Sequence, residues 1–269
     1  MRKCCSLILV SVAGLRLLQG AEPSPRAVVQ GNAQTNLSNP QAHDEISSPG
    51  YETRPLEGWQ VRVSRELLAK EHDSTEKALG LLRLQLAEIV RVVPAPAVIK
   101  LREVTLWFSP EYSGVKPTAE YHPGREWLVA HHRNPAMVKG VEFTDVRDFE
   151  REMKRMPNFA LHELAHAFHD RVLGFDQAEI KAAYDHAKTS TNYDHVERWN
   201  GNGRTNTWER AYAMTNEREY FAESTEAFFS RNDFFPFTRD QLEKHDPEMF
   251  KLLLRLWNLP GSDKIRKAQ

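Results

Sequence analysis

Phe159-Ala160-Leu161-His162-Glu163-Leu164-Ala165-His166-Ala167-Phe168 is the most informative stretch of the chain. Two histidines four apart stand one above the other on one helix face. Two imidazoles so placed can meet one zinc ion, and Glu163 can reach a water on it. The competing reading is a chance H-E-x-x-H on a solvated face. The flanking Phe159, Leu161, Leu164, Phe168 and Val172 argue against it, because they bury the helix. Buried, unpaired His and Glu are costly, and a cation supplies the missing partner. One zinc per chain is expected, with His162 and His166 as ligands and Glu163 as the base.

A third ligand is needed. The position six beyond His166 is Val172, and the usual intervening glycine is His169, so a third histidine or aspartate from the same segment is excluded. His169, three residues past His166, is expected at the cleft edge or surface. The alternative is a carboxylate from a second helix. Glu219 and Glu223 lie four apart in residues 216–230. One can bind zinc while the other accepts the free ring N–H of a ligating histidine. Two other readings stay open. Asn216-x-x-Glu219 is also a capping box, and a plain surface Glu–Glu pair would look the same.

H-E-x-x-H followed by a helix of the form E-x-x-x-[D/E] resembles the gluzincin metallopeptidases. Tyr212 followed by Glu219-Tyr220-Phe221-Ala222-Glu223 is closer still to the catalytic domain of anthrax lethal factor and the related secreted Pro-Pro endopeptidases. The resemblance implies a zincin-like fold with His162, His166 and Glu219 as zinc ligands and Glu163 as general base. It makes Tyr212 the hydroxyl that steadies the oxyanion or leaving group, and Glu223 a supporting carboxylate. Such enzymes bind extended substrate along a sheet edge, a part residues 127–129 (Trp-Leu-Val) could play. His166 and Glu219 are 53 residues apart, and the segment around 194–206 is not covered by the likeness. A tyrosine in an alternating strand is otherwise ordinary half-buried packing. His186 and His195, loose between the two patches, are minor candidates to approach the zinc or the oxyanion.

The rest of the chain reads as one α+β domain: a small N-terminal sheet packed on the histidine helix, then a mainly helical part. Residues 60–63 alternate as a strand. Asp73-Ser-Thr-Glu76 has the form of a capping box opening an amphipathic helix that ends before Pro94. Residues 98–108 (VIKLREVTLWF) and 126–131 (EWLVAH) read as strands. Helices are expected over 144–154, 157–173, 175–186 and 216–230. A last helix begins at Asp246-Pro247, with Phe250, Leu253, Leu254 and Trp257 as its stripe. Residues 194–199 and 208–213 flank an Asn-Gly-Asn-Gly run as a hairpin. The aromatics at 228–229 and 234–237 are core and lid packing.

Arg2 and Lys3 precede a mostly apolar run to Leu18, then Gly20 and Ala21, the pattern of a signal peptide over residues 1–21. Residues 22–57, rich in Pro, Gln, Asn and Ser, are expected to be a disordered leader or linker. The catalytic domain is expected over 58–260, and 261–269 is a tail. Cleavage after the signal removes three basic residues, taking the formal charge from −1 to −4. It also removes Cys4 and Cys5, the only cysteines. Disulfides and a thiol nucleophile are then excluded. The near-neutral balance argues against nucleic-acid binding, which needs a basic surface. No membrane anchor is expected once the signal is gone.

These observations point to a secreted or extracytoplasmic zinc metallopeptidase with protein or peptide substrates. A zinc-stabilised extracellular binding protein without catalysis, and a zinc amidohydrolase acting on a non-peptide amide, are the alternatives.

Overall fold

The computed structural model describes residues 50–258. The expected signal peptide, most of the expected leader and the expected tail lie outside the described residues. Residues before the expected boundary at 58 already belong to the fold: strand β1 (Tyr51–Leu56) pairs antiparallel to β2 (Trp59–Ser64). Glu57 and Gly58 between them both have positive φ, the two-residue turn that matches strand twist. β1 escapes a pattern search because it is an edge strand carrying Pro55, and only Leu56 in it is buried.

The sheet has five strands in the order β1-β2-β3-β5-β4. β3 (Leu106–Phe108) and β5 (Val141–Phe143) run parallel to β2, and β4 (Ala119–Tyr121) closes the far edge antiparallel to β5. Val61, Val63, Leu106, Phe108, Val141 and Phe143 are all buried and join the core. The register puts Arg62, Trp107, Glu142 and Glu120 on the opposite face. There Glu142, fully buried, is held by His122 Nε2 (2.9 Å), Arg133 Nη1 (3.0 Å) and the Tyr112 hydroxyl (2.7 Å).

Helix α1 (Arg65–Lys70) leads into α2 (His72–Val92), which buries Leu79, Leu82, Leu86 and Ile89 as the periodicity implies. Its start differs. Glu71 is the N-cap with no side-chain cap bond, and the Thr75 amide already bonds Glu71 O, so Asp73 opens no capping box. Two expected strands are helical in part or nearly throughout. Residues 98–108 split into α3 (Ala95–Leu101) and the three-residue β3, with Ala97, Val98 and Leu101 on one buried helix face. Residues 126–131 form α4 (Arg125–Ala130), in which Leu128 is buried and Val129 exposed. Short apolar runs do not distinguish helix from buried strand. Trp127 therefore lies on a helix, and the sheet edge is β4.

Thr144 stays extended, its side chain bonding both the Thr118 amide and carbonyl, so α5 is Phe149–Arg155 and starts later than expected. The expected helix over 157–173 is α6 (Phe159–Phe168) followed by a wider π turn, His169–Leu173, ended by Gly174 at φ 83°. Asn158 caps α6 by accepting the Leu161 amide, and its own amide donates to Gln85 O. Buried Gln85 of α2 in turn accepts the Ala160 amide. A helix start leaves unpaired N–H groups, and these bonds satisfy two of them while fixing α6 on α2.

α7 (Ala178–Ser190) starts three residues after 175 because Gln177 supplies its cap. β6 (Val196–Arg198) and β7 (Thr207–Glu209) form the expected hairpin, shorter than drawn. Tyr212 lies past it in a 3₁₀ turn, Tyr212–Thr215, rather than in a strand. α8 (Glu217–Phe229) packs on α6, and α9 (Arg239–His245) and α10 (Pro247–Leu256) close the fold. In α10 the buried face uses Leu252 where Leu254 was expected; Leu254 is exposed. No helix among the described residues is long and apolar enough to cross a membrane.

Candidate metal centre

α6 and α8 bring His162, His166 and Glu219 together. His162 Nε2 lies 3.2 Å from His166 Nε2 and 3.2 Å from Glu219 Oε2, and His166 Nε2 lies 3.4 Å from that same oxygen. Donors bound at zinc's usual distances in a tetrahedron are about 3.3 Å apart. The three atoms thus already have the spacing that one tetrahedral ion requires. The donor set, two imidazoles and one carboxylate, is also a three-ligand set that leaves a coordination position open.

The charge pattern follows from this crowding. Burial acts to raise the Glu219 pKa, but His166 and His162 outweigh it and hold the carboxyl well below the usual range. Burial acts to lower His162, but Glu219 and Glu226 outweigh it and raise its pKa. Asn216 accepts the Arg218 and Glu219 amides, so it does cap α8. The Glu219 side chain turns to the histidines and leaves the other half of the capping box unmade.

Behind His162 the arrangement differs from expectation. Its Nδ1 lies 3.0 Å from Glu226 Oε2 and 3.7 Å from the nearer oxygen of Glu223. Glu223 instead accepts a hydrogen bond from Asn232 Nδ2 at 3.0 Å. Glu226 is thus the direct partner. Glu219, Glu223 and Glu226 stand at i, i+4 and i+7 on α8, so the third carboxylate was visible in the spacing. Burial pushes the Glu226 carboxyl up to about 7, against the pull of His162, and raises Glu223 well above its ordinary value. His162, Glu223 and Glu226 also place donor atoms within 4.8 Å of one another. That second set uses Nδ1, the ring nitrogen facing away from His166 and Glu219.

Glu163 sits beside the first set. Its Oε2 accepts the Tyr121 backbone N–H at 2.8 Å, so the free edge of β4 faces this carboxylate. Burial pushes Glu163 up to about 7, with His162 and His166 acting against that rise. The Tyr121 hydroxyl donates to Asp170 Oδ2 (2.6 Å), tying the edge strand to the turn after α6. Backbone contacts of this kind leave no trace in a residue pattern.

Tyr212 is half exposed, and its partial burial with the Glu219 carboxylate pushes the phenol up to about 12. His169 is not at the surface. It is fully buried between Phe175 and Phe221, with no hydrogen-bond partner on either ring nitrogen, and burial takes its pKa down to about 4. His186 pairs with Glu248, and His195 packs against Trp208 with the two rings tilted; neither joins the three donors.

The family model described as anthrax toxin lethal factor, N- and C-terminal domain, matches residues 145–256. That span holds α6, the hairpin, Tyr212 and α8, and leaves out the whole five-stranded sheet. The chain is thus similar to lethal factor over less than half its length, in agreement with the resemblance of its motifs. No curated protein and no solved structure matches the chain.

Proposed function

We propose that this chain is an exported zinc-dependent peptidase. The lethal factor family consists of zinc metalloproteases, and the similarity spans the residues that assemble the centre. The observation that carries the reading is the triangle of His162 Nε2, His166 Nε2 and Glu219 Oε2, with sides of 3.2–3.4 Å and Glu163 alongside. His162, His166 and Glu219 hold the ion. Zinc, when bound, lowers the pKa of a water to about 7 and polarises a carbonyl.

The residues of the chain do the rest. Glu163 takes the proton of the attacking water and passes it to the leaving amine. A carboxyl near neutrality suits both halves of that task. Tyr212 donates its hydroxyl proton in a hydrogen bond to the oxyanion. Glu226 accepts the Nδ1 proton of His162 and so leaves Nε2 free to ligate. The free edge of β4 offers backbone groups to an extended peptide, which favours a peptide over other amides.

The test is metal analysis of the purified protein, with cleavage of a mixed peptide library with and without chelator. One zinc per chain and chelator-sensitive cleavage are expected. One zinc without cleavage of any peptide would favour a binding protein on the same scaffold.

A further inference from the structure

The turn after α8 reaches back to the carboxylates behind His162. Asn232 and Asp233 are both buried in it. Asn232 Nδ2 donates to Glu223 Oε2 at 3.0 Å, and Asn232 Oδ1 accepts the Asp233 amide at 2.9 Å. The second bond fixes which way round the side-chain amide points. Its oxygen is taken by a backbone N–H, so its NH₂ group must face Glu223. The backbone is held as well: the Asn232 amide bonds Phe237 O, and the Trp199 amide bonds Asp233 O. Asp233 Oδ2 accepts from Arg155 Nη1 of α5 and, at 3.2 Å, from Arg198 Nε of β6. The amide that faces Glu223 is therefore anchored from α5 and from the hairpin, besides its own turn.

His162 has one Nδ1 and two carboxylates close to it. Glu226 Oε2 lies 3.0 Å from Nδ1 and Glu223 Oε1 lies 3.7 Å away. The longer separation is not a hydrogen bond. Glu223 would have to close less than an ångström to compete, and its other oxygen is the one Asn232 holds. A ligating ring is oriented by the group that takes its second proton, so two competing acceptors would orient it less well than one.

We infer that Asn232 is a positioning residue of the metal centre: by holding Glu223 off Nδ1, it reserves His162 for Glu226. Asn232 acts through Glu223 and contacts none of the three donor atoms. The inference rests on the reading of His162 as a zinc ligand and asks nothing of the cleavage step.

The experiment is a double-mutant cycle on zinc affinity, measured by chelator competition on the full chain. Asn232→Ser keeps an oxygen that can accept the Asp233 amide, but it is too short to reach Glu223. With Asn232 in place, Glu226→Gln should weaken zinc binding by about 10–100-fold, and adding Glu223→Gln should cost little more. In Asn232→Ser the freed Glu223 takes the Nδ1 proton. There Glu226→Gln should cost about tenfold less than it does in wild type, and adding Glu223→Gln should restore the full loss. A residue that only supports the fold would lower the unfolding midpoint and leave the losses additive. An equal cost of Glu226→Gln with Asn232 and with Asn232→Ser overturns the inference and leaves the zinc centre intact. So does a further loss of about tenfold on adding Glu223→Gln to Glu226→Gln alone, a comparison that leaves Asn232 unchanged. A wild type that binds no zinc overturns the centre itself.

Discussion

His162 Nδ1 lies 3.0 Å from Glu226 Oε2, and Glu226 has no exposed surface. A ligating imidazole depends on the group that takes its other proton, because that bond selects the tautomer and fixes the ring. Removing such a partner typically costs about 10–100-fold in metal affinity. Glu226→Gln should therefore weaken zinc binding by about that factor, and Glu223→Gln by less. Competition titration with a calibrated chelator measures both. A larger loss for Glu223→Gln would reverse the two assignments.

Glu163 tests the chemistry apart from the metal. Glu163→Gln keeps the side-chain shape and an oxygen for the Tyr121 amide, so zinc content should not change. The proton acceptor is gone, and general-base catalysis is typically worth about two to four orders of magnitude. Turnover of a zinc-loaded Glu163→Gln sample within threefold of wild type would rule out the mechanism.

Tyr212→Phe removes one hydroxyl at a half-exposed ring. The fold and the zinc should be retained. Loss of a donor to the developing oxyanion typically costs about 2.7–4 kcal/mol, and it should appear in kcat more than in KM. A loss of threefold or less in kcat would make Tyr212 a packing residue.

Stability should be most sensitive on the far face of the sheet. Glu142 is fully buried and holds Arg133 and His122. Removing one partner of a buried ion pair costs about 3–5 kcal/mol when the other charge is left uncompensated; Arg133 keeps Glu120 Oε2 at 2.8 Å, so the loss should fall at the low end of that range. Urea unfolding of Glu142→Ala at saturating zinc should show a loss of that size; a loss under about 1 kcal/mol would contradict the role. Burial acts to raise the Glu142 pKa, but bonds from His122, Ser109 and Tyr112 outweigh it and lower it. A lowered folded pKa stabilises above the unfolded value of about 4.3, and the gain is lost as pH falls through the folded pKa. The stability gap between wild type and Glu142→Gln should accordingly shrink below about pH 4.

The centre was more legible in the sequence than the frame around it, for physical reasons. His162 and His166 announce themselves because a helix repeats its face every three to four residues. Glu219, Glu223 and Glu226 share one face for the same reason. Which carboxylate meets which nitrogen depends on how α8 is rotated against α6, and spacing does not carry that. The edge strand β4 is three residues long, too short to show a period, and Tyr121 meets Glu163 through its backbone. Residues 126–131 looked like a strand because Trp127, Leu128 and Val129 are apolar, yet only Leu128 is buried there. β1 was hidden by Pro55 and by its exposure.

The central claim is that His162, His166 and Glu219 hold one zinc ion. The direct measurement is the zinc-to-protein ratio after dialysis against a weak chelator, for wild type, His162→Ala, His166→Ala and Glu219→Ala. A ratio near one is expected for wild type and near zero for both histidine variants, with Glu219→Ala strongly depleted. No zinc in the wild type, or full retention in Glu219→Ala, would contradict the claim.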